Sequence, residues 1–108
     1  MVHFETDEHV LKEKDDLSTI NRIASYLKKN PGVYLVISGH TDERASASYN
    51  IALGTRRSNY VRSLLVKAGI DLNRIYAVSR GKEEPIAFGH NADDWKQNRR
   101  VEFKIFER

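Results

Sequence analysis

Apolar residues recur along this chain with two different periods, and the alternation of the two predicts its elements. Leu17, Ile20, Ile23, Ala24 and Leu27 fall at helical spacing, with Asp15 or Asp16 placed to cap the first turn. Lys28 and Lys29 suit the negative end of that helix, and Asn30-Pro31-Gly32 stops it. Val33 to Ile37 is a nearly continuous apolar run, the pattern of a central strand covered on both faces, and Gly39 is read as breaking it. A loop from His40 to Ser48 leads to a second helix, roughly Tyr49 to Lys67, which ends at Ala68-Gly69. Ile75 to Ser79 reads as another strand, Gly81 to Gly89 as a loop, and Asn91 to Gln97 as a short helical turn capped by Asn91. Val101, Phe103 and Ile105 alternate with Glu102, Lys104 and Phe106, a last strand with one buried face. With a weak first strand over Val2 to Glu5, the order is βαβαβ(α)β. The predicted fold class is therefore α/β, a sandwich of one mixed sheet of about four strands covered by helices.

At 108 residues the chain is expected to form one domain, 1–108, with a core that needs no metal or disulfide staple. There is no cysteine, so disulfides and Cys-based metal sites are excluded. No apolar run approaches the ~20 residues of a membrane-spanning helix, and no secretory leader is read at the start. The chain opens almost directly on Val2-His3-Phe4, and we read it as a domain of a longer precursor with Met1 supplied for expression. The balance of 18 Lys+Arg against 15 Asp+Glu leaves +3, well short of a nucleic-acid-binding surface. Arg56, Arg62 and Arg100 read as solvated charges without the interleaved aromatics such a surface uses.

One position breaks the amphipathic pattern. On a wheel at ~100° per residue, with Leu53 at zero, Arg57 falls near ~40°, between Leu64 at ~20° and Val61 at ~80°. A guanidinium centred in an apolar stripe requires an anionic partner, because an unpaired buried charge costs several kcal/mol. Asp42, just upstream at a predicted strand end, is the nearest candidate. The pair suits a purely structural tether between loop and helix. It equally suits a receptor for a ligand bearing both an ammonium and a carboxylate.

Gly39-His40-Thr41-Asp42-Glu43-Arg44 and Tyr49-Asn50-Ile51-Ala52-Leu53-Gly54, followed by Arg57 and Val61, resemble the OmpA-like C-terminal domain family at matching spacing. Gly81-Lys82-Glu83-Glu84-Pro85, Gly89-His90 and Asn98-Arg99-Arg100-Val101 place the chain nearest the family's branch of peptidoglycan-associated lipoproteins. The resemblance implies a non-catalytic module that binds the diaminopimelate residue of the peptidoglycan stem and needs no cofactor. Carried over by motif, Asp42 accepts the ligand's ammonium and Arg57 grips its carboxylate. Thr41 and Asn50 belong to the same motif and Glu5 stands near the same site; Arg99, on the buried side of the last strand by its parity with Val101, Phe103 and Ile105, reads as a structural residue bracing the loop beside it. Backbone N–H groups after Thr41 are expected to add anion-binding donors. The family further implies a periplasmic protein attached to the outer membrane through an upstream lipid anchor. It implies, as a partner, the β-propeller protein of the Tol system, TolB. Ala45, Ser38 and Arg80 depart from the family pattern, which has glycine, an acid and an aromatic there, and Glu5 stands where aspartate is common.

Two other readings stand beside this one. A porin tail or flagellar stator subunit shares the same family motifs. A hydrolase would use His40 with Asp42 or Glu43, although neighbouring residues at a strand end point to alternate sides and a triad is defined by geometry. His3, His9 and His90 show no metal-ligand spacing. Trp95 reads as a packing residue, with a sugar-facing role as the alternative.

Overall fold

The computed structural model describes residues 1–4 and 14–107. Its elements follow in the order β1 (Val2–His3), α1 (Lys14–Lys29), β2 (Val33–His40), α2 (Ala47–Lys67), a 3-10 turn (Leu72–Arg74), β3 (Ile75–Gly81), α3 (Ala92–Asn98) and β4 (Arg100–Glu107). The strands form one mixed sheet in the order β1-β4-β2-β3. β2 pairs in parallel with β3 and antiparallel with β4, and β1 runs antiparallel to β4. The parallel pair is joined through α2, the crossover that a parallel connection requires. This is the α/β sheet-and-helix fold that the alternating periods predict.

The core lies between one sheet face and the helices. Val33, Leu35 and Ile37 of β2, Ile75 of β3 and Val101 of β4 meet Ile20, Ala24 and Leu27 of α1 and Val61 and Leu65 of α2. Tyr34, Val36 and Ser38 alternate with them and are only half-buried. The continuous apolar run of β2 is thus covered on one face, not on both. Its other face is shared with aromatic neighbours, Tyr34 stacking on Phe106 at 5.3 Å and meeting Tyr76 edge-on at 5.4 Å. Those contacts account for apolar residues at positions that look inward by hydropathy alone.

Other expectations are corrected. Gly39 does not end β2, which continues to His40; the glycine is there because α2 passes against it. Asp15 and Asp16 lie within α1 (Lys14–Lys29) rather than capping it, and Leu17 is 37% exposed. On β4, Val101 is buried but Ile105 is 44% exposed. β1 pairs only with Arg100 and Val101, so among the described residues the far half of β4 is paired with β2 on one side and flanked by no strand on the other. Arg100, read as solvated, is 2% exposed. It donates to Glu102 Oε1 at 2.9 Å, the Glu84 carbonyl at 2.8 Å and the Asn98 carbonyl at 3.3 Å. Strand alternation puts it under the loop that returns from β3, and its donors hold that loop down. The first strand stops at His3, and Glu5 lies outside the described residues.

Candidate functional site

The sheet and α2 converge at the C-terminal end of β2, where both polar and apolar groups are sequestered. α2 starts at Ser46, whose side chain accepts from Tyr49 N at 3.2 Å as an N-cap. Its apolar stripe then buries Leu53, Val61 and Leu65, and with them Arg57, which is 0% exposed. Arg57 Nη1 donates to the His40 carbonyl at 3.1 Å, and its guanidinium carbon lies 5.1 Å from the Phe4 ring centroid. The wheel argument therefore places Arg57 correctly. The partner it names is different: the ion pairs of Asp42 among the described residues are with Arg44 and Arg99.

Asp42 stands immediately beyond β2 and is 6% exposed. Its Oδ1 accepts from Arg44 N at 3.0 Å and Arg44 Nε at 3.2 Å. Its Oδ2 accepts from Arg44 Nη2 at 2.7 Å and Arg99 Nη1 at 3.3 Å. Burial alone would raise its pKa, but hydrogen bonds and charge from Arg44, with a further bond from Arg99, hold the carboxyl below its usual range. Arg99 is fixed in turn by donating Nε to the Phe4 carbonyl at 2.8 Å, so the bracing role expected of it is observed. The Arg44 backbone N–H is turned onto Asp42, whereas the sequence leads one to expect such loop donors to face a ligand.

Two further polar residues shape the loop. Thr41 is buried and its N–H donates to the Gly81 carbonyl at 2.9 Å, tying β2 to the end of β3. Asn50, also buried, donates Nδ2 to the Arg44 carbonyl at 2.6 Å and so joins α2 to the loop. Between these two ties Ala45 adopts φ +70°, a left-handed conformation natural to glycine and costly for alanine. Thr41, Asp42, Arg44, Ala45, Tyr49, Asn50, Leu53 and Arg57 line a cavity of about 210 Å³. Four of the six sequence-assigned residues, Thr41, Asp42, Asn50 and Arg57, thus line one cavity. Arg99 touches it through Asp42, and Glu5 lies outside the described residues.

The sequence reading missed the outer layer. Arg44 lies 4.4 Å over the Trp95 ring, a cation–π contact. Trp95 Nε1 donates to Glu43 Oε1 at 2.9 Å, and His90 Nδ1 lies 2.6 Å from the same oxygen. Glu43 is held low by these bonds from Trp95 and His90, and His90 is raised by Glu43. The spacing Asp42-x-Arg44, with an acceptor two residues before a loop donor, is an Asx-turn signal that was available to find Arg44. Nothing local announces that His90 and Trp95 return to it.

His40 ends β2 and packs near Glu102 of β4. It is 1% exposed, 3.5 Å from Glu102 Oε2 without hydrogen-bond alignment, and neither ring nitrogen has a hydrogen-bond partner among the described residues. Burial, aided by Arg100, lowers its pKa and keeps the ring neutral. It does not line the cavity, so no dyad of His40 with Asp42 is assembled.

A four-stranded mixed sheet of the α/β class thus carries, just beyond β2, one cavity lined by a buried arginine of the crossover helix and an acid of the following loop. Residues 3–99 match the OmpA family, and the chain belongs to it. It is 47% identical to the peptidoglycan-associated lipoprotein of Legionella pneumophila over 96% of this chain and 58% of that protein. The chain thus spans little more than half the length of that relative. The crystal structure of the peptidoglycan-associated lipoprotein from Burkholderia pseudomallei superposes with a TM-score of 0.93 at 37% identity, covering 97% of this chain and 88% of that one. The C-terminal domain of Helicobacter pylori MotB gives 0.86 at 26% identity, covering 98% and 83%.

Proposed function

We propose that this chain is a non-catalytic module that binds peptidoglycan through the diaminopimelate residue of its peptide stem. The observation that carries the reading is that Asp42 and Arg57, from different elements, line one cavity of about 210 Å³. A carboxylate there suits an ammonium and a planar guanidinium suits a carboxylate. The meso-diaminopimelate side chain ends in that combination, and lysine lacks its carboxylate. The names of the relatives, peptidoglycan-associated lipoproteins, support the same reading. On that basis we place the protein in the periplasm, held at the outer membrane by a lipid anchor upstream of this chain. There it would meet a TolB-like β-propeller protein of the Tol system. The isolation of His40 from the cavity supports a binding role over hydrolysis.

Sedimentation with purified sacculi tests this. The domain is expected to pellet with diaminopimelate-type sacculi, to stay in solution with lysine-type sacculi, and to release no soluble muropeptides. Two charge-assisted hydrogen-bond sets at ~1.5–3 kcal/mol each place binding of a small fragment in the micromolar to millimolar range, since ~4 kcal/mol corresponds to about 1 mM. Asp42→Asn keeps the volume but removes the charge that would hold the ammonium, and should abolish pelleting in a domain that still folds. Equal retention on both wall types would refute the assignment.

A further inference from the structure

The loop that carries Asp42 is tied to the end of β3 through Thr41 and to α2 through Asn50. A third tie runs to α3, and there the contacts form a closed circuit. Asp42 accepts from the Arg44 side chain, whose guanidinium lies 4.4 Å over the Trp95 ring. Trp95 Nε1 donates to Glu43 Oε1 at 2.9 Å. Glu43 stands between Asp42 and Arg44 in the chain, so the circuit leaves the loop at one residue and returns to it at its neighbour. His90, just before α3, joins it with Nδ1 at 2.6 Å from Oε1 and 2.8 Å from Oε2 of the same carboxylate. Asp42 and Arg44 line the cavity, whereas Glu43, His90 and Trp95 stand behind them.

From this circuit we infer that Glu43 is a positioning residue: through Trp95 and His90 it clasps the loop to α3 and so sets how the Asp42 carboxylate meets the ligand. The inference rests on the cavity being the diaminopimelate site proposed above. The two groups bonded to Glu43 differ in what they supply. The indole N–H is neutral at every working pH, whereas the imidazole is a cation only when protonated. The hydrogen bond and charge of Glu43 raise the His90 pKa above 6.5, Asp94 of α3 adds to this, and slight desolvation opposes it. Glu43 is itself held below 4.5, by Trp95 first and His90 next, with Asp42 acting in the other direction. Between those limits the clasp is an ion pair, and above the raised His90 value it relaxes to a neutral hydrogen bond. A ligand that needs the clasped loop therefore binds more tightly on the acidic side of that transition, and its affinity falls as pH rises through it.

Trp95 is the single tryptophan of the chain, so its fluorescence reports the clasp without any ligand. In wild type the emission is expected to titrate with a midpoint above 6.5, and in His90→Gln that transition should be absent. Calorimetry with the synthetic tripeptide L-Ala-γ-D-Glu-meso-diaminopimelate then compares pH 5.5 with pH 8.5. Wild type should bind roughly two- to five-fold more weakly at the higher pH, the scale of one exposed ion pair. His90→Gln, which keeps a hydrogen-bond donor without the charge, should lose that drop. Titration of the ligand, of His3 and of His40 is common to both proteins and cancels in the ratio of their affinities. Glu43→Ala, its fold confirmed by thermal unfolding, should bind roughly five-fold more weakly than wild type at pH 5.5. Parallel affinity profiles for wild type and His90→Gln overturn the inference, as do wild-type affinity in Glu43→Ala and an emission transition that survives in His90→Gln. If Trp95 titrates as expected but wild type binds the tripeptide at neither pH, the clasp stands, the assignment of the cavity fails, and the positioning role of Glu43 falls with it.

Discussion

Gly39 of β2 and Gly54 of α2 meet backbone to backbone. A Cβ on Gly39 would overlap the Gly54 carbonyl, and one on Gly54 would collide with the Ser79 hydroxyl and approach the Gly39 carbonyl at 2.9 Å. Ser79 Oγ in turn donates to the Ile51 carbonyl at 2.7 Å, pulling β3 against the same turn of the helix. This contact sets the depth at which α2 sits, and so decides where Asn50 and Arg57, four residues before and three after Gly54, reach the end of β2.

Gly39→Ala should therefore cost about 1–3 kcal/mol, the range for forcing volume into a packed site. Its clash is with backbone, which cannot rotate away. Gly32, where an added methyl group would meet nothing within 4 Å, is the control. Gly32→Ala should stay within ~0.5 kcal/mol, as surface changes do. Urea denaturation of the two variants checks the contrast. Equal stability would mean that helix and strand can separate without penalty.

Ala45 offers a change in the opposite direction. At φ +70° its Cβ is held in a region that disfavours L-residues by roughly 1–2 kcal/mol. Glycine removes that cost but adds backbone freedom to the unfolded chain, worth ~0.4–1 kcal/mol. Ala45→Gly should then leave the domain as stable as before or more stable by up to ~1.6 kcal/mol, in the same denaturation assay. Destabilisation beyond ~0.5 kcal/mol would mean that the methyl group makes a contact that outweighs its strain.

The fold was legible wherever the period of apolar residues was unambiguous. The two long helices, the strand order in the chain and the Asn91 cap all follow from local pattern. Legibility stopped where a contact joins distant residues. Arg100 looks like any surface arginine until Glu84, brought in by the returning loop, places a carbonyl acceptor beside it. Arg57 was found because it violates a helical stripe, and a violation is visible locally. Its bond to the His40 carbonyl was not, because sequence shows side chains and conceals which backbone groups remain to be paired. Gly39 was misread for the same reason. A glycine that ends a strand and one that admits a helix look identical along the chain.

Titration of His40 gives the fold a defined pH response. Burial, with Arg100 nearby, lowers its pKa from 6.5, although Glu102 and Glu84 act in the other direction. The folded state then binds fewer protons than the unfolded state, so stability rises with pH between the lowered value and 6.5 and is lost on acidification through that window. His3, also lowered by burial, contributes with the same sign, while the exposed His90, raised by Glu43, opposes it. The His40 share is isolated by comparing wild type with His40→Phe. The variant should lose less stability between pH 7 and pH 5, measured by denaturation at each pH. Parallel pH profiles would show that His40 is protonated as easily folded as unfolded.

Arg57 and Arg62 provide a matched pair on the same helix. Arg57 is fully buried, donates to the His40 carbonyl and faces Phe4, whereas Arg62 is half-buried in a shallow groove with Asn59, Ser63, Val66 and Leu72, away from the cavity. Lysine preserves the charge at either position but loses the planar fork. At position 57 the change should weaken binding of a diaminopimelate tripeptide by ~1–2 kcal/mol if one of two charged hydrogen bonds is lost. It should also reduce stability, because a compact ammonium cannot both reach the His40 carbonyl and cover the Phe4 ring. At position 62 the same change should stay within ~0.5 kcal/mol for folding and binding alike. Calorimetric titration of both variants, with urea denaturation alongside, separates the two effects. If Arg57→Lys loses stability but binds the peptide as wild type does, Arg57 is a structural arginine, and the carboxylate receptor of the cavity is to be sought at Arg44 or Arg99.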